Sequence, residues 1–192
     1  MKTSRPLGKR TLARKLACDI LYQMDLTGEG FEKVAGSYRR MLEEGVEEPP
    51  AARRDLPVAS EDLVRVFLGE DAEIESLESM SSFDWSPPLE IPEFSLKLVG
   101  LFMKNRPEVE DLISSYADRW SLQRMPLVDR NLLRLGFTEL LYREDIPANV
   151  TINEYLELAK VFSTEDSGKF INGVMGKLVE SRGLDGEVDH KG

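Results

Sequence analysis

With one cysteine and one histidine in 192 residues, the chain is short of the side chains on which much enzyme chemistry depends. Cys18 has no second cysteine to pair with, so an internal disulfide is excluded. Flanked by Leu16, Ala17, Ile20 and Leu21, it reads as a small buried hydrophobe rather than a reactive thiol. The lone His190 falls near the chain end, outside any apolar periodicity, which argues against histidine triads and proton relays. There is no CxxC or HExxH spacing for zinc, and no GxxxxGKS/T or GxGxxG loop for phosphate or dinucleotide. No apolar run approaches the roughly 18 residues that a bilayer requires. The basic start lacks the apolar centre of a secretory signal. These absences lead us to expect a cytoplasmic protein that is not an enzyme, with no cofactor, no metal and no membrane partner.

Charge is abundant but unevenly placed. Asp and Glu number 35 against 25 Lys and Arg, a net charge of −10, which argues against nucleic-acid binding over the whole surface. Residues 1–15 nevertheless hold Lys2, Arg5, Lys9, Arg10, Arg14 and Lys15 and no acid. Screening confines each charge to about 8–10 Å at ordinary salt, so a local cationic patch on an acidic protein can still hold phosphate.

Apolar residues recur at helical spacing through most of the chain. Leu12, Leu16, Ile20 and Met24 predict a first helix over Lys9–Leu26, followed by a Gly-Glu-Gly turn at 28–30. Phe31, Val34, Ala35, Tyr38 and Leu42 predict a second over Phe31–Glu43. From Phe94 a buried helix runs to Asn105-Arg106-Pro107, and Pro107 suits the first turn of another, lined by Val109, Leu112, Ile113 and Tyr116. Pro126 opens a helix whose stripe is Val128, Leu132, Leu135, Gly136, Glu139 and Leu140. Glycine inside a helix costs about 1 kcal/mol against alanine, so Gly136 implies a close helix approach.

The stretch Ile146–Gly176, IPANVTINEYLELAKVFSTEDSGKFINGVMG, reads as two helices joined by a tight break. Thr151 and Glu154 have the spacing of a capping box, and Ile152, Leu156, Ala159 and Phe162 form the first stripe. Ser163-Thr164-Glu165-Asp166 suits the positive end of the second helix, which buries Phe170, Val174 and Leu178. Between Glu44 and Pro92 the pattern breaks down: Pro49, Pro50, Pro57, Pro87, Pro88 and Pro92 stand among many acids. One short helix from Ser60 is expected there, with Phe83 and Trp85 as anchors onto the core. The organisation expected is one helical domain over 1–192, an acidic proline-rich insertion at 45–92, and a frayed tail at 183–192.

Three segments carry a family resemblance. INEYLELAK followed by STEDSGKFINGVMGKL resembles the C-terminal signature of the NusB family of bacterial transcription antitermination factors. ARKLACDILYQMD resembles its first helix, and the Trp120–Pro147 segment, with its DR-x-x-LR helix ending in EL, resembles its central pattern. The resemblance implies an all-α, compact bundle of about seven helices in two helical subdomains. It also implies binding of boxA-type single-stranded RNA together with NusE, a small-subunit ribosomal protein, within an RNA polymerase antitermination complex that reads through terminators in ribosomal RNA operons. Carried onto this chain, it assigns Lys9, Arg10, Arg14 and Lys15 to phosphates and Tyr22 to base or sugar, with Asp129, Asp166, Lys169 and Phe170 shaping the rest. In two places the chain departs from the pattern: Thr11 and Leu12 thin the arginine-rich start, and Gly168 stands where a larger side chain, often His, is common. Four to six phosphate contacts would give a log–log salt slope of about −3 to −4. The alternative is a helical protein-interaction or homodimerisation module whose RNA binding has weakened.

Overall fold

The computed structural model describes residues 9–44, 90–117 and 120–184. Among them lie six α-helices: α1 (Lys9–Thr27), α2 (Phe31–Glu44), α3 (Glu90–Tyr116), α4 (Leu127–Tyr142), α5 (Ala148–Phe162) and α6 (Glu165–Arg182). A 3-10 turn, Leu122–Arg124, precedes α4. The helices expected on either side of Asn105–Pro107 run together as α3, with a kink at Asn105 (φ −113°, ψ 15°). Pro107 lacks the N–H that would continue the ladder, and the Asn105 side chain donates to the Leu101 carbonyl at 2.9 Å. α3 also starts at Glu90 rather than Phe94; Pro92 is tolerated because N–H groups of a first turn have no intrahelical acceptor. The expected Ser60 helix and the Phe83 and Trp85 anchors lie outside the described residues, as does His190.

α4 is the element around which the others pack. Every residue from 131 to 140 is buried, and α1, α3, α5 and α6 all lie against it. Gly136 permits this closeness: a Cβ there would stand 2.6 Å from Met175 Cε on α6 and 3.3 Å from Tyr155 Cδ2 on α5. The expected close approach is therefore present.

A helix enclosed on all sides can carry polar groups only if they find partners. Arg134 donates through Nη1 to Asp25 and Asn131, each at 2.8 Å, and through Nη2 to Glu110, which ties α4 to α1 and α3. Arg130 adds a 3.2 Å contact to Asp25. The two arginines of the DR-x-x-LR segment are thus structural.

The capping box expected at Thr151 and Glu154 does not form. α5 starts at Ala148 after Pro147, with no side-chain cap. Thr151 lies inside the helix, fully buried, and donates to Glu139 at 2.8 Å. Glu154 instead accepts from Thr11 of α1 at 2.7 Å. Proline supplies the start because its fixed φ matches a helix entry and its missing N–H is not needed there. Of the expected tail, Gly183 and Leu184 are described: left-handed Gly183 (φ 61°) closes α6, and Leu184 N–H donates to the Val179 carbonyl at 3.0 Å.

Candidate nucleic-acid interface

The residues proposed for RNA come from α1, from the start of α4 and from the α5–α6 joint, and these elements meet at one surface. Asp129 organises the meeting. It lies in the first turn of α4, is 4% exposed, and accepts from the Ser163 and Ser167 hydroxyls, the latter at 2.7 Å. Each carboxylate oxygen therefore holds one end of the α5–α6 turn. Within that turn Thr164 caps α6, accepting from the Ser167 N–H at 3.1 Å. The hydroxyl and acidic residues at 163–166 thus open α6 as expected, and the joint is locked from outside as well.

Against this turn lies a groove of about 740 Å³, lined by Tyr22 of α1, Trp120, the segment 125–129, Phe162, Ser163, Thr164, Asp166, Ser167 and Phe170. Tyr22, Asp129, Asp166 and Phe170, four of the sequence-derived candidates, therefore share one wall system. Burial, and then the adjacent Cys18, push the Tyr22 phenol above its ordinary pKa, so it stays protonated near neutral pH. Phe170 is half-buried, its ring 5.9 Å from that of Trp120 and tilted by 46°. Asp166 is 98% exposed, and Lys169, also exposed, comes within 3.9 Å of it.

Lys15 borders a small adjoining cleft with Cys18, Asp19, Tyr22 and Phe162. Its ammonium meets Asp19 at 2.6 Å and lies 5.5 Å from the Phe162 ring centre. Burial pushes the Cys18 thiol up, as a nonreactive cysteine requires. Arg10 is exposed on α1. Lys9 opens the same helix, and its side chain is outside the described set.

Arg14 departs from the expected surface position. Expected at a phosphate, it is 1% exposed and turned into the core. Its Nε lies 3.1 and 3.0 Å from the two oxygens of Glu139, its Nη2 also donates to Glu139, and its Nη1 donates to the Arg10 carbonyl at 3.0 Å. Glu139 is 0% exposed and also accepts from Thr151 and Tyr155. Burial acts to lower the Arg14 pKa, but the Glu139 hydrogen bonds and the charge of Glu154 outweigh it and leave the guanidinium more firmly protonated than usual. Removing either charge would strand the other in the core, so the pair fastens α1 to α4.

Sequence reasoning missed Trp120 and Phe162 as groove residues. In the sequence Trp120 only opens the Trp120–Pro147 segment, yet it is 55% exposed. A tryptophan standing outside any apolar stripe was the signal available. Gly168 has nothing within 4 Å of where a Cβ would stand, so the site has room for the larger side chain that this chain lacks.

Comparison with known proteins agrees with the helical layout. The model of the NusB family matches residues 76–180. A transcription antitermination protein NusB from Desulfitobacterium hafniense is 39% identical over 176 residues, covering 90% of this chain and 88% of that protein. Among solved structures, NusB from T. maritima superposes with a TM-score of 0.60 at 27% identity, covering 92% of this chain and 93% of that one. A structure of the antitermination factors NusB and NusE with double-stranded RNA gives a TM-score of 0.60 at 22% identity, with 90% and 97% covered, a likeness of fold.

Proposed function

Because the chain belongs to the NusB family of transcription antitermination proteins, and is therefore an RNA-binding transcription factor rather than an enzyme, we propose that it binds boxA-type single-stranded RNA jointly with NusE. In the cytoplasm, the pair would join the RNA polymerase antitermination complex and promote read-through in ribosomal RNA operons. The observation that carries this reading is the groove itself: Tyr22 from the chain start and Asp166 and Phe170 from near its end line one concave surface. Single-stranded RNA is held by flat side chains that receive bases and by cations that track phosphates. The groove supplies the first, and Arg10, Lys15 and Lys169, with Lys9 at the start of α1, supply the second. A protein of the same fold has been solved with NusE and double-stranded RNA, which supports NusE and RNA as the classes of partner.

With Arg14 committed to the core, three or four cations remain, so affinity for RNA alone is modest and a partner is needed. Fluorescence anisotropy of labelled boxA RNA tests this directly. Binding should strengthen when NusE is added, and an unrelated RNA of equal length should bind less tightly. Equal, weak binding of both RNAs with NusE present would remove the reading.

The same shortage of cations favours a second reading, a helical protein-interaction or dimerisation module with weakened RNA binding. A stable homodimer by light scattering, together with no boxA binding in the presence of NusE, would select it.

A further inference from the structure

We infer that the groove between α1 and the α5–α6 turn seats one unstacked nucleobase against Trp120, with the phosphates running outside it. This rests on the RNA reading above and specifies which part of the polymer this surface holds and which residue holds it. Trp120 and Leu26 are the exposed large hydrophobic side chains of the described residues, and Trp120 lines the groove. Its ring meets Phe170 tilted at 46° rather than stacked face to face. The space of about 740 Å³ lies within the range of pockets that take drug-sized ligands, which is ample for one base.

Charge on the walls decides between base and phosphate. Among the described residues that line the groove, the ionisable side chains are Tyr22, Asp129 and Asp166, and the other polar side chains are the hydroxyls of Ser163, Thr164 and Ser167. A phosphate entering there would face the Asp166 carboxylate, with the buried Asp129 charge behind the Ser163 and Ser167 hydroxyls, and no lining cation. A base carries no net charge, offers a π face to the indole, and brings amino or imino donors that carboxylates and hydroxyls accept. Lys15 borders the adjoining cleft and Lys169 is exposed beside Phe170, so the cations stand outside the groove, where a backbone would pass.

The test uses a Trp85→Phe background, in which Trp120 is the sole tryptophan. With NusE present, boxA-type RNA should quench Trp120 fluorescence in step with the rise in RNA anisotropy. Trp120→Ala should weaken RNA binding by about 5- to 100-fold, the usual effect of removing one stacked base. The log–log salt slope should stay as it was, NusE binding should be unaffected, and Trp120→Phe should recover most of the affinity. RNA affinity within about two-fold of the parent, with RNA binding otherwise intact, would overturn the base seat and leave the RNA reading standing. A loss of NusE binding instead would make the groove a protein contact and also overturn it. Failure of the parent protein to bind RNA with NusE would remove both readings together.

Discussion

The Arg14 guanidinium on α1 forks onto the Glu139 carboxylate on α4, and neither side chain reaches water. This charge, placed at the basic chain start, acts on stability rather than on RNA. Arg14→Met should cost about 3–5 kcal/mol, the usual effect of stranding a buried partner, with the salt slope of RNA binding unchanged. Urea unfolding and a salt titration read the two effects separately. A changed slope with unaltered stability would return Arg14 to the phosphate contacts.

Gly136 should tolerate one added carbon and not three. Gly136→Ala gains about 1 kcal/mol of helix propensity, which offsets much of the work of displacing the Met175 methyl 2.6 Å away. Gly136→Val should cost about 3 kcal/mol, because α4 must move from α5 and α6. Thermal unfolding of both variants checks the ordering.

Asp129→Ala removes the acceptor shared by Ser163 and Ser167. The loss should be about 1–3 kcal/mol, localised at the turn. Amide hydrogen exchange should speed up over residues 163–168 while α3 keeps its protection. Uniform loss of protection would show that Asp129 supports the whole fold rather than the groove wall.

Alkaline pH should unfold the protein through its buried tyrosines. Burial, reinforced by nearby acidic groups, raises the Tyr38 and Tyr155 phenols well above their ordinary pKa. A raised folded pKa gives stability that is complete below the unfolded value, about 10, and declines as pH rises beyond it. Each phenol should remove about 1.4 kcal/mol per pH unit there. Phenolate absorbance should therefore rise together with loss of the helical circular-dichroism signal; ionisation of these two residues with the helix signal intact would contradict their burial.

What could be read in the sequence was what local periodicity encodes. The limits of α1 and α2, the break between α5 and α6, and the tight packing at Gly136 all follow from which residues recur on one helix face. What could not be read depends on partners far along the chain. Thr151 and Glu154 have capping-box spacing, yet Glu139 and Thr11 claim them. Arg14 looked like one more basic residue, although it shares a stripe with Ala17 and Leu21, at i+3 and i+7. Glu139 likewise shares a stripe with Leu132 and Leu135. Opposite charges each set within an apolar stripe were the sign of a buried pair. Nothing nearby in sequence marked Asp129 as the clasp of a turn that begins 34 residues later.

With Arg10, Lys15 and Lys169 as the proposed phosphate contacts, the salt slope for RNA should be nearer −2 than −4, at about −0.7 per phosphate. Nuclear magnetic resonance of the isotope-labelled protein bound to NusE, titrated with boxA RNA, tests the location itself. Shifts are expected at the Tyr22 amide, at the amides of residues 163–170 and at the Trp120 indole. Shifts gathered instead around the exposed Arg39 and Arg40 of α2, with the groove signals unmoved, would contradict it.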